Sequence, residues 1–350
     1  MTEANLTAVF HGIEDVRLQV EKIPEPGPGE VQIRVENVGI CGSDLSFWNH
    51  NGIPECIESK DPYGLGHEGA GIVSKLGEGV TSLKIGDKVA MDPFSYCETC
   101  SDCREGKFNL CEKAAIHGFP GHWGYMARYC VENVKHCFRL PDHISTEEGA
   151  MLEPLAVALH GCRRVGVSAG NNVLITGAGP MGLLSMMAAR VFGATNICVT
   201  DVLESRIKLA KQLGADYALD VRSKEPEEIE KMVEECFGEK PHVAIECSGS
   251  PSAIRAAIRS TKSGGRVAQV GLGEANVTVP IINASFREVD ILGVRAYLYC
   301  TPLAIDLVSS GQMDIKPLVT HRFDLENVTE AFEKAQSRDC GKVMIRCSKN

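Results

Sequence analysis

The segment VLITGAGPMGLLSMMAARVFGATNICVTD, Val173–Asp201, constrains the fold of this chain more than any other stretch of its sequence. Its first residues favour a short strand, and three glycines follow as G-x-G-x-x-G, at Gly177, Gly179 and Gly182. Glycine at these positions permits a tight turn, close approach of the backbone to a pyrophosphate, and close packing of the next helix on the strand. The segment therefore predicts a strand–turn–helix–strand unit that binds a dinucleotide.

Asp201 ends the second strand of this segment, at the distance from the glycines at which a carboxylate accepts a hydrogen bond from an adenosine ribose. Its negative charge would repel a 2′-phosphate, so the sequence favours NAD over NADP. Arg206, a little further on, weakens this preference only slightly. Glycine turns also occur in ordinary loops, but the strand before, the helix after and the acidic residue together favour a nucleotide site.

The composition is that of a globular protein with two domains. A chain of 350 residues, 44% hydrophobic and 23% charged, is too long for one ordinary core and too apolar to be disordered. A net charge of −10 argues against nucleic acids or anionic membranes as partners. The most apolar helix, around residues 182–193, carries Arg190 and is too short to span a bilayer. The first residues lack the pattern of a signal peptide, so we expect a cytoplasmic protein.

The pattern of secondary structure changes near Gly161. Before it, short alternating runs such as Val31–Val35 predict a β-rich domain. After it, strands alternate with helices, which is typical of a doubly wound parallel sheet, with Ile291–Val294 as the sixth strand. A helix near Asn327–Gln336 and a strand at Lys342–Cys347 break this alternation and are predicted to return to the first domain. The predicted boundaries are residues 156–295 for the α/β domain, and residues 1–155 with 296–350 for the β-rich domain.

A cluster of cysteines gives a second strong signal, within the β-rich part. The spacing is Cys97-x2-Cys100-x2-Cys103-x7-Cys111. Four thiolates can close a tetrahedral site around Zn²⁺ and leave no position for a substrate, so this loop predicts a structural zinc. Because a reducing cytosol disfavours disulfides, zinc ligation explains the cluster better than cystine bridges or four chance free thiols.

Cys41 and the pair His67-Glu68 offer a further set of metal-binding groups. Cys41 lies in the motif GICGSD and His67-Glu68 lies in GHEGAG. A cysteine, a histidine and a carboxylate that leave the fourth position to water or substrate form a typical catalytic zinc site. A histidine beside a glutamate is more often an ordinary polar contact, so these residues by themselves leave both interpretations open.

These motifs together resemble one family. The pattern Gly66-His67-Glu68-x2-Gly71-x5-Gly77-x2-Val80, the four-cysteine loop, Glu153-Pro-Leu and the glycine fingerprint are similar to those of the zinc-containing medium-chain alcohol dehydrogenases. The segments VGICGSD, EEGAMLEPLAVALHGCRRVGV, REVDILGV and KPLVTHRFDLE resemble the polyol branch, which includes the sorbitol dehydrogenases. The resemblance covers nearly the whole chain. It implies a Rossmann domain, a β-rich GroES-like catalytic domain, one catalytic and one structural zinc, and NAD-dependent interconversion of a sorbitol-, xylitol- or iditol-like alcohol and its ketose.

The resemblance also implies which residues hold the catalytic zinc. Cys41, His67 and Glu68 are the implied ligands, and Glu153 is the carboxylate that ligates the metal or hydrogen-bonds its water. Asp44 is the implied partner that orients His67.

Substrate and cofactor residues follow from the same resemblance. Ser43 is implied to contact the alcohol oxygen and to begin proton removal, and Phe47 and Tyr297 to lie at the substrate. The implied cofactor residues are Gly177, Gly179, Met181, Gly182, Asp201, Arg206, Val270, Gly271, Leu272, Val294, Arg295 and Ala296. A homo-oligomer, a tetramer or a dimer paired through the sixth strand, is also implied.

The chain departs from the polyol branch at three places that contact sugar hydroxyls. Ser46-Phe47 stands where sorbitol dehydrogenases typically have His-Tyr. Arg295-Ala296-Tyr297 stands where they have Phe-Arg-Tyr, and GFPGHWG at residues 118–124 replaces a Thr-Pro-Pro-Asp-Asp-Gly loop. Polar contacts to long polyols are therefore missing or moved.

An apolar pocket at Phe47, Phe119 and Trp123 should select long polyols weakly, which predicts a polyol or vicinal-diol dehydrogenase with altered specificity. Three alternatives stay open. The aromatic residues could be wall packing in an ordinary sorbitol dehydrogenase. The enzyme could be of the threonine or butanediol type, with Arg295 as the only visible anchor for an amino-acid carboxylate. A non-catalytic zinc- or NAD-binding relative is disfavoured by the intact metal-binding residues.

Overall fold

The computed structural model describes residues 4–348. Its strands are β1 Asn5–Gly12, β2 Asp15–Glu21, β3 Glu30–Gly39, β4 Gly52–Ile53, β5 Ile57–Glu58, β6 Tyr63–Gly64, β7 Glu68–Leu76, β8 Lys88–Met91, β9 Phe94–Ser95, β10 Ala115–Ile116, β11 Tyr129–Asn133, β12 Cys137–Arg139, β13 Asn172–Thr176, β14 Asn196–Asp201, β15 Tyr217–Asp220, β16 Val243–Glu246, β17 Arg266–Gln269, β18 Asp290–Gly293, β19 Val319–Asp324 and β20 Lys342–Arg346. Its α-helices are α1 Gly42–His50, α2 Ser101–Arg104, α3 Thr146–Ala150, α4 Leu152–Val165, α5 Pro180–Val191, α6 Glu204–Gln212, α7 Pro226–Phe237, α8 Pro251–Ser260, α9 Ile281–Phe286, α10 Thr301–Ser309 and α11 Val328–Gln336.

Two units divide this part of the chain. The first comprises residues 4–153, 301–338 and 342–348, and the second comprises residues 154–300 and 339–341. Strand β20 pairs with β3, so the end of the described chain contributes to the sheet of the first unit.

A mostly antiparallel sheet of seven strands organises the first unit. Its order is β12-β8-β7-β3-β20-β19, and β11 also pairs with β3. Strand β3 lies at its centre because apolar residues alternate along it, with Val31, Ile33 and Val35 fully buried. At the end of β3, Gly39 lies opposite Glu68 of β7 and Met344 of β20. Three segments that are distant in sequence therefore meet at this point.

The second unit is built on a six-stranded sheet in the order β15-β14-β13-β16-β17-β18, and every pair is parallel. This is the strand order of the doubly wound dinucleotide-binding fold. The predicted fold class is therefore confirmed. The sixth strand is found at Asp290–Gly293, one residue earlier than predicted.

The glycine turn after β13 has the predicted backbone geometry. Gly177 has a φ of +93°, in the left-handed region that favours glycine. A Cβ on Gly182 would lie 1.7 Å from Gly177 O, so only glycine lets helix α5 approach the strand this closely. Helix α5 begins at Pro180 with Gly179 as its N-cap.

Helices α7 and α8 pack on this parallel sheet. Ile229 and Val233 of α7 and Ala257 of α8 share a buried cluster with Leu174 and Val267 of the strands. The short side chain of Ala257 lets α8 lie close to the sheet. Within residues 4–348, no helix is both long enough and apolar enough to cross a membrane.

Candidate functional site

Cys41, His67 and Glu68 come together at the end of strand β3. Cys41 follows this strand and is the N-cap of helix α1, while Glu68 begins strand β7 opposite Gly39. One ligand atom from each of the three side chains lies within 4.8 Å of the other two. His67 and Glu68 are buried, and Cys41 is partly exposed. We call these three residues the metal triad.

Two residues in the first turn of α1 face the His67 ring. Asp44 Oδ1 lies 3.5 Å from His67 Nδ1, and Ser43 Oγ lies 3.3 Å from His67 Nε2. Asp44 Oδ2 accepts a hydrogen bond of 2.8 Å from Cys41 N, which ties it to the start of the helix. Because Asp44 faces Nδ1, Nε2 is the ring nitrogen that remains for a metal.

The charges around His67 favour a cation at this point. Burial lowers the pKa of His67, but the nearby charges of Asp44 and Cys41 outweigh it and raise the pKa well above its ordinary value. A metal has to displace a proton that binds this ring tightly, so metal binding here depends on pH.

Lys342 of strand β20 is the partner of the Glu68 carboxylate. Its Nζ lies 2.7 Å from Glu68 Oε1 and 2.5 Å from Oε2, and it also donates to Ile40 O at 3.1 Å. Burial lowers the pKa of Lys342, but the Glu68 charge outweighs burial and raises it. A Cβ on Gly39 would lie 2.1 Å from Glu68 Oε2, so the glycine makes room for this carboxylate. Lys342 therefore fixes the direction of the triad's acidic residue.

Glu153 begins the first turn of helix α4 and is buried. Among the described residues, it is not part of the group of ligand atoms that lie within 4.8 Å of one another. Burial raises the pKa of Glu153 to about 8, while His67 and Glu68 act on it in opposite directions. This carboxyl group can therefore hold or release a proton near neutral pH.

The four predicted cysteine ligands, Cys97, Cys100, Cys103 and Cys111, converge in one loop, with all four Sγ atoms within 4.8 Å of one another. The Sγ atom of Cys97 lies 4.0 Å from that of Cys103 and 3.5 Å from that of Cys111. Four sulfurs bound tetrahedrally to zinc lie about 3.8 Å apart, so the spacing fits the metal. Hydrogen bonds from Thr99 and from the Cys100 backbone lower the pKa of Cys97 to about 5, which favours the thiolate.

The aromatic residues predicted at the substrate lie in different environments. Phe47 is 1% exposed and is enclosed by other rings, whereas Trp123 is 48% exposed. Phe119 contacts both Phe47 and His67: its ring centroid is 5.4 Å from that of Phe47 and 5.4 Å from that of His67. Ser46 Oγ donates to Gly52 O at 2.6 Å and is thereby held by the backbone. Phe119 is thus the aromatic ring that packs against His67 of the metal triad.

In the second unit, Asp201 lies beside the glycine turn. It accepts hydrogen bonds from Ala178 N at 2.7 Å, Val202 N at 2.7 Å and Leu203 N at 2.9 Å, and it is 7% exposed. These contacts hold the carboxylate next to the start of helix α5, where a dinucleotide phosphate is expected.

Arg206 lies close to the same turn. Its Nη1 lies 3.8 Å from Asp201 Oδ2, and a Cβ on Gly179 would lie 3.4 Å from Nη1. Its Nε is buried and makes no hydrogen bond. The guanidinium group therefore has an unused donor at the site where the cofactor ribose is expected.

The remaining predicted cofactor residues are Met181 in helix α5 and residues that follow strands β17 and β18, namely Val270, Gly271, Leu272, Val294, Arg295 and Ala296. Ligands of open parallel sheets bind at the carboxyl ends of the strands, where these loops lie. Ala296 has a φ of +48°, and Tyr297 is 3% exposed. Tyr297 is therefore a buried residue of the second unit, and its predicted role at the substrate stays a prediction.

The sequence did not point to Glu246, which organises the carboxyl edge of this sheet. Its Oε1 accepts from Ser248 N at 2.8 Å, and its Oε2 accepts from Gly249 N at 3.0 Å and from Gln269 Nε2 at 2.7 Å. A Cβ on Gly271 would lie 2.5 Å from Oε2. An acidic residue that ends an otherwise apolar strand was the available signal.

Known proteins resemble this chain over both units. The model of the alcohol dehydrogenase GroES-like domain matches residues 27–142, and that of the zinc-binding dehydrogenase matches residues 180–310. Sorbitol dehydrogenase of Gallus gallus is 44% identical over 346 residues, which cover 99% of this chain and 97% of that protein. Sorbitol dehydrogenase of Bos taurus is 45% identical over 346 residues, with 99% and 97% covered. The structure of 2R,3R-butanediol dehydrogenase from Bacillus subtilis matches with a TM-score of 0.88 and 30% identity, covering 98% of this chain and 99% of that chain.

Proposed function

The chain belongs to the zinc-containing alcohol dehydrogenases, in the group of the sorbitol dehydrogenases, and we propose that it is an NAD-dependent enzyme that interconverts a polyol and its ketose. The observation that carries this proposal is the metal triad, with Ser43 Oγ 3.3 Å from His67 Nε2. Three protein ligands that leave a position open are the arrangement of a catalytic zinc.

The metal triad fits zinc by its chemistry as well as its spacing. Cys41 offers a thiolate, His67 a ring nitrogen and Glu68 a carboxylate oxygen, all within 4.8 Å. Zinc held by these residues would supply stabilisation of negative charge on the alcohol oxygen, and NAD held by the second unit would supply the hydride acceptor. The four-cysteine loop would hold the second zinc, which has a structural role because it leaves no open position.

Three residues of the chain would handle the proton and the orientation of the ring. Ser43 Oγ, buried beside His67 Nε2, would accept a hydrogen bond from the alcohol hydroxyl and relay the proton, releasing its own hydroxyl proton to water. Asp44 Oδ1 would hold the proton of His67 Nδ1 and so fix the ring. Glu153, whose pKa is about 8, would exchange protons with water near the site.

We expect the substrate specificity of this enzyme to differ from that of an ordinary polyol dehydrogenase. The apolar ring of Phe119 lies beside His67, so shorter secondary alcohols and vicinal diols should compete well with long polyols. Steady-state kinetics with NAD would test this on sorbitol, xylitol, butane-2,3-diol, threonine and a hydroxy acid. If sorbitol and xylitol gave the highest kcat/KM of the panel, the idea of altered specificity would be wrong.

A butanediol-type dehydrogenase is the second candidate function. Phe119 at 5.4 Å from His67 favours it, because an apolar wall suits the methyl groups of a short diol. Preference for butane-2,3-diol over every polyol in the same panel would establish it. Activity with threonine would instead require a carboxylate anchor, for which Arg295 is the candidate.

We also propose that the protein forms a homo-oligomer, either a dimer or a tetramer, in which two copies pair through the sixth strand, β18. Strand β18 is at the edge of its sheet, and Phe286 of the preceding helix is 88% exposed. An open sheet edge beside an exposed aromatic ring favours pairing with a second copy. Sedimentation of the wild type and of Phe286→Glu would test it, since a monomeric wild type would contradict it.

We also propose that the protein is located in the cytoplasm. Fifteen cysteines are compatible with a reducing compartment, and all of them are free in the structure. Cell fractionation with an antibody against the protein tests this directly.

A further inference from the structure

His117 lies just before the loop that carries Phe119 and touches both ends of it. Its Nδ1 lies 2.7 Å from Trp123 O, and its Nε2 lies 3.2 Å from Glu132 Oε2. The ring also stacks on Tyr125, with centroids 5.2 Å apart and an interplanar angle of 20°. The side chain of His117 is 27% exposed. Through these three contacts it connects Glu132 of strand β11, Trp123 of the loop and Tyr125, the residue that follows the loop.

Both nitrogens of this ring face atoms that only accept hydrogen bonds. Trp123 O is a backbone carbonyl. Glu132 is buried, and its two oxygens accept hydrogen bonds from Tyr125 Oη at 2.6 Å and from Asn133 N at 2.8 Å. Burial, together with the charge of Glu132, raises the pKa of Tyr125 well above its ordinary value, so its hydroxyl keeps the proton that it donates. His117 therefore links the backbone of the loop, at Trp123 O, to the buried carboxyl group of Glu132 in strand β11.

Glycines at both ends of the loop seat it on the segment that leads to His67. A Cβ on Gly118 would lie 2.5 Å from Gly66 O, and a Cβ on Gly124 would lie 2.3 Å from Leu65 O. Backbone hydrogen bonds run from Gly124 N to Gly64 O and from Tyr125 N to Gly66 O. The loop has no room to move closer to the backbone of residues 65–66. Its position therefore depends on the contacts that prevent it from moving away from that backbone.

We propose that His117, through its contacts with Trp123 O, Glu132 and Tyr125, is a positioning residue that holds residues 118–124 down and keeps Phe119 against His67 of the metal triad. Phe119 then raises kcat/KM for short secondary alcohols and vicinal diols relative to long polyols. The part of this inference that concerns substrates rests on the proposed dehydrogenase function. The part that concerns the position of the loop does not, because hydrogen exchange measures it without any substrate.

His117→Asn tests the inference, because one asparagine amide cannot bridge Trp123 O and Glu132 as the imidazole does. Hydrogen exchange measured by mass spectrometry should become faster in residues 117–125 and stay unchanged in the rest of the chain. His143→Asn is the matched control: this exposed histidine also bonds a backbone carbonyl, Ser309 O at 3.1 Å, but lies outside the loop. The control should leave exchange in residues 117–125 as in the wild type.

The kinetic readout is the ratio of kcat/KM for butane-2,3-diol to kcat/KM for sorbitol. In His117→Asn it should fall by about tenfold, through KM rather than kcat, because the apolar wall is lost while the reacting groups are kept. Phe119→Ala should lower the ratio similarly, because it removes the aromatic ring itself. General destabilisation would not produce this split between KM and kcat.

Three results would overturn the inference. The first is unchanged exchange in residues 117–125 of His117→Asn, the second is faster exchange throughout the chain, and the third is an unchanged substrate ratio in Phe119→Ala. If the wild type oxidised no alcohol of the panel, the proposed function would fail, while the exchange measurement would still decide whether His117 holds the loop.

Discussion

Lys342 and Glu68 form a buried ion pair, in which the lysine Nζ lies 2.7 Å from one carboxylate oxygen and 2.5 Å from the other. The two side chains are 3% and 0% exposed, and they are 274 residues apart in the chain. An unpaired carboxylate would be very costly at this depth, so the lysine compensates the charge of Glu68 and fixes the direction of its carboxylate.

Replacing Lys342 with methionine should destabilise the protein by about 3–5 kcal/mol, because it leaves a charged carboxylate buried without a partner. Urea unfolding of chelator-treated protein measures this free energy. Lys75→Met is the control, since Lys75 pairs with Glu25 while 51% exposed and should change stability by about 1 kcal/mol or less. Equal effects of the two substitutions would contradict the role given to Lys342.

Glu153 should make the metal-depleted protein less stable as pH rises. Its pKa is about 8 in the folded state against an ordinary value of 4.5, so between these values the folded state holds a proton that the unfolded state has released. Stability from this group is therefore present at low pH and lost as pH rises towards 8. The difference in Tm between wild type and Glu153→Gln should shrink or reverse from pH 5 to pH 9, and a difference independent of pH would refute the assignment.

Removing one ligand of the cysteine cluster should cost one metal ion. Cys103→Ser leaves three thiols, too few to close a structural site, so metal analysis should give about one zinc per chain where the wild type has about two. Cys56→Ser changes an exposed cysteine outside both candidate sites and should keep the wild-type content. Retention of two zinc ions by Cys103→Ser would mean that the loop does not ligate metal through all four sulfurs.

Asp201→Asn should weaken cofactor binding and reduce the preference for NAD. The carboxylate lies at the glycine turn with Arg206 close by, and loss of a charged hydrogen bond raises the Kd for NADH by about tenfold or more. NADPH should lose less affinity, because the repulsive charge is gone. Titration of cofactor fluorescence measures both. Asp220→Asn, at an exposed salt bridge to Arg222, is the control and should bind both cofactors as the wild type does.

Most of the fold could be predicted from local patterns. The strand predicted at Lys342–Cys347 is found as β20 and ends one residue earlier, and the helix predicted near Asn327–Gln336 is found as α11, which begins one residue later. These segments are bounded by turns and carry a clear periodicity, so nearby residues determine them. The short strands that flank the cysteine loop have too few residues for a period and were not predicted.

The candidate site could be predicted only as far as its motifs extend. Cys41 and His67-Glu68 were found because each lies in a short recognisable motif, and the structure brings their ligand atoms together. Phe47 was expected in the pocket wall, but the structure buries it behind Phe119, since a ring's exposure depends on what packs over it. Lys342 belongs to no motif, and its role appears only where β20 joins β3.

The sequence by itself determined the dinucleotide fold, the two sets of candidate metal ligands and the likeness to one enzyme family, because glycine turns and ligand spacings act over a few residues. Only the tertiary structure decided which charges are paired and which ring packs against His67 of the metal triad. Lys342 with Glu68 and His117 with Glu132 are contacts between distant segments, and the strength of such contacts depends on burial and distance, neither of which a local pattern encodes.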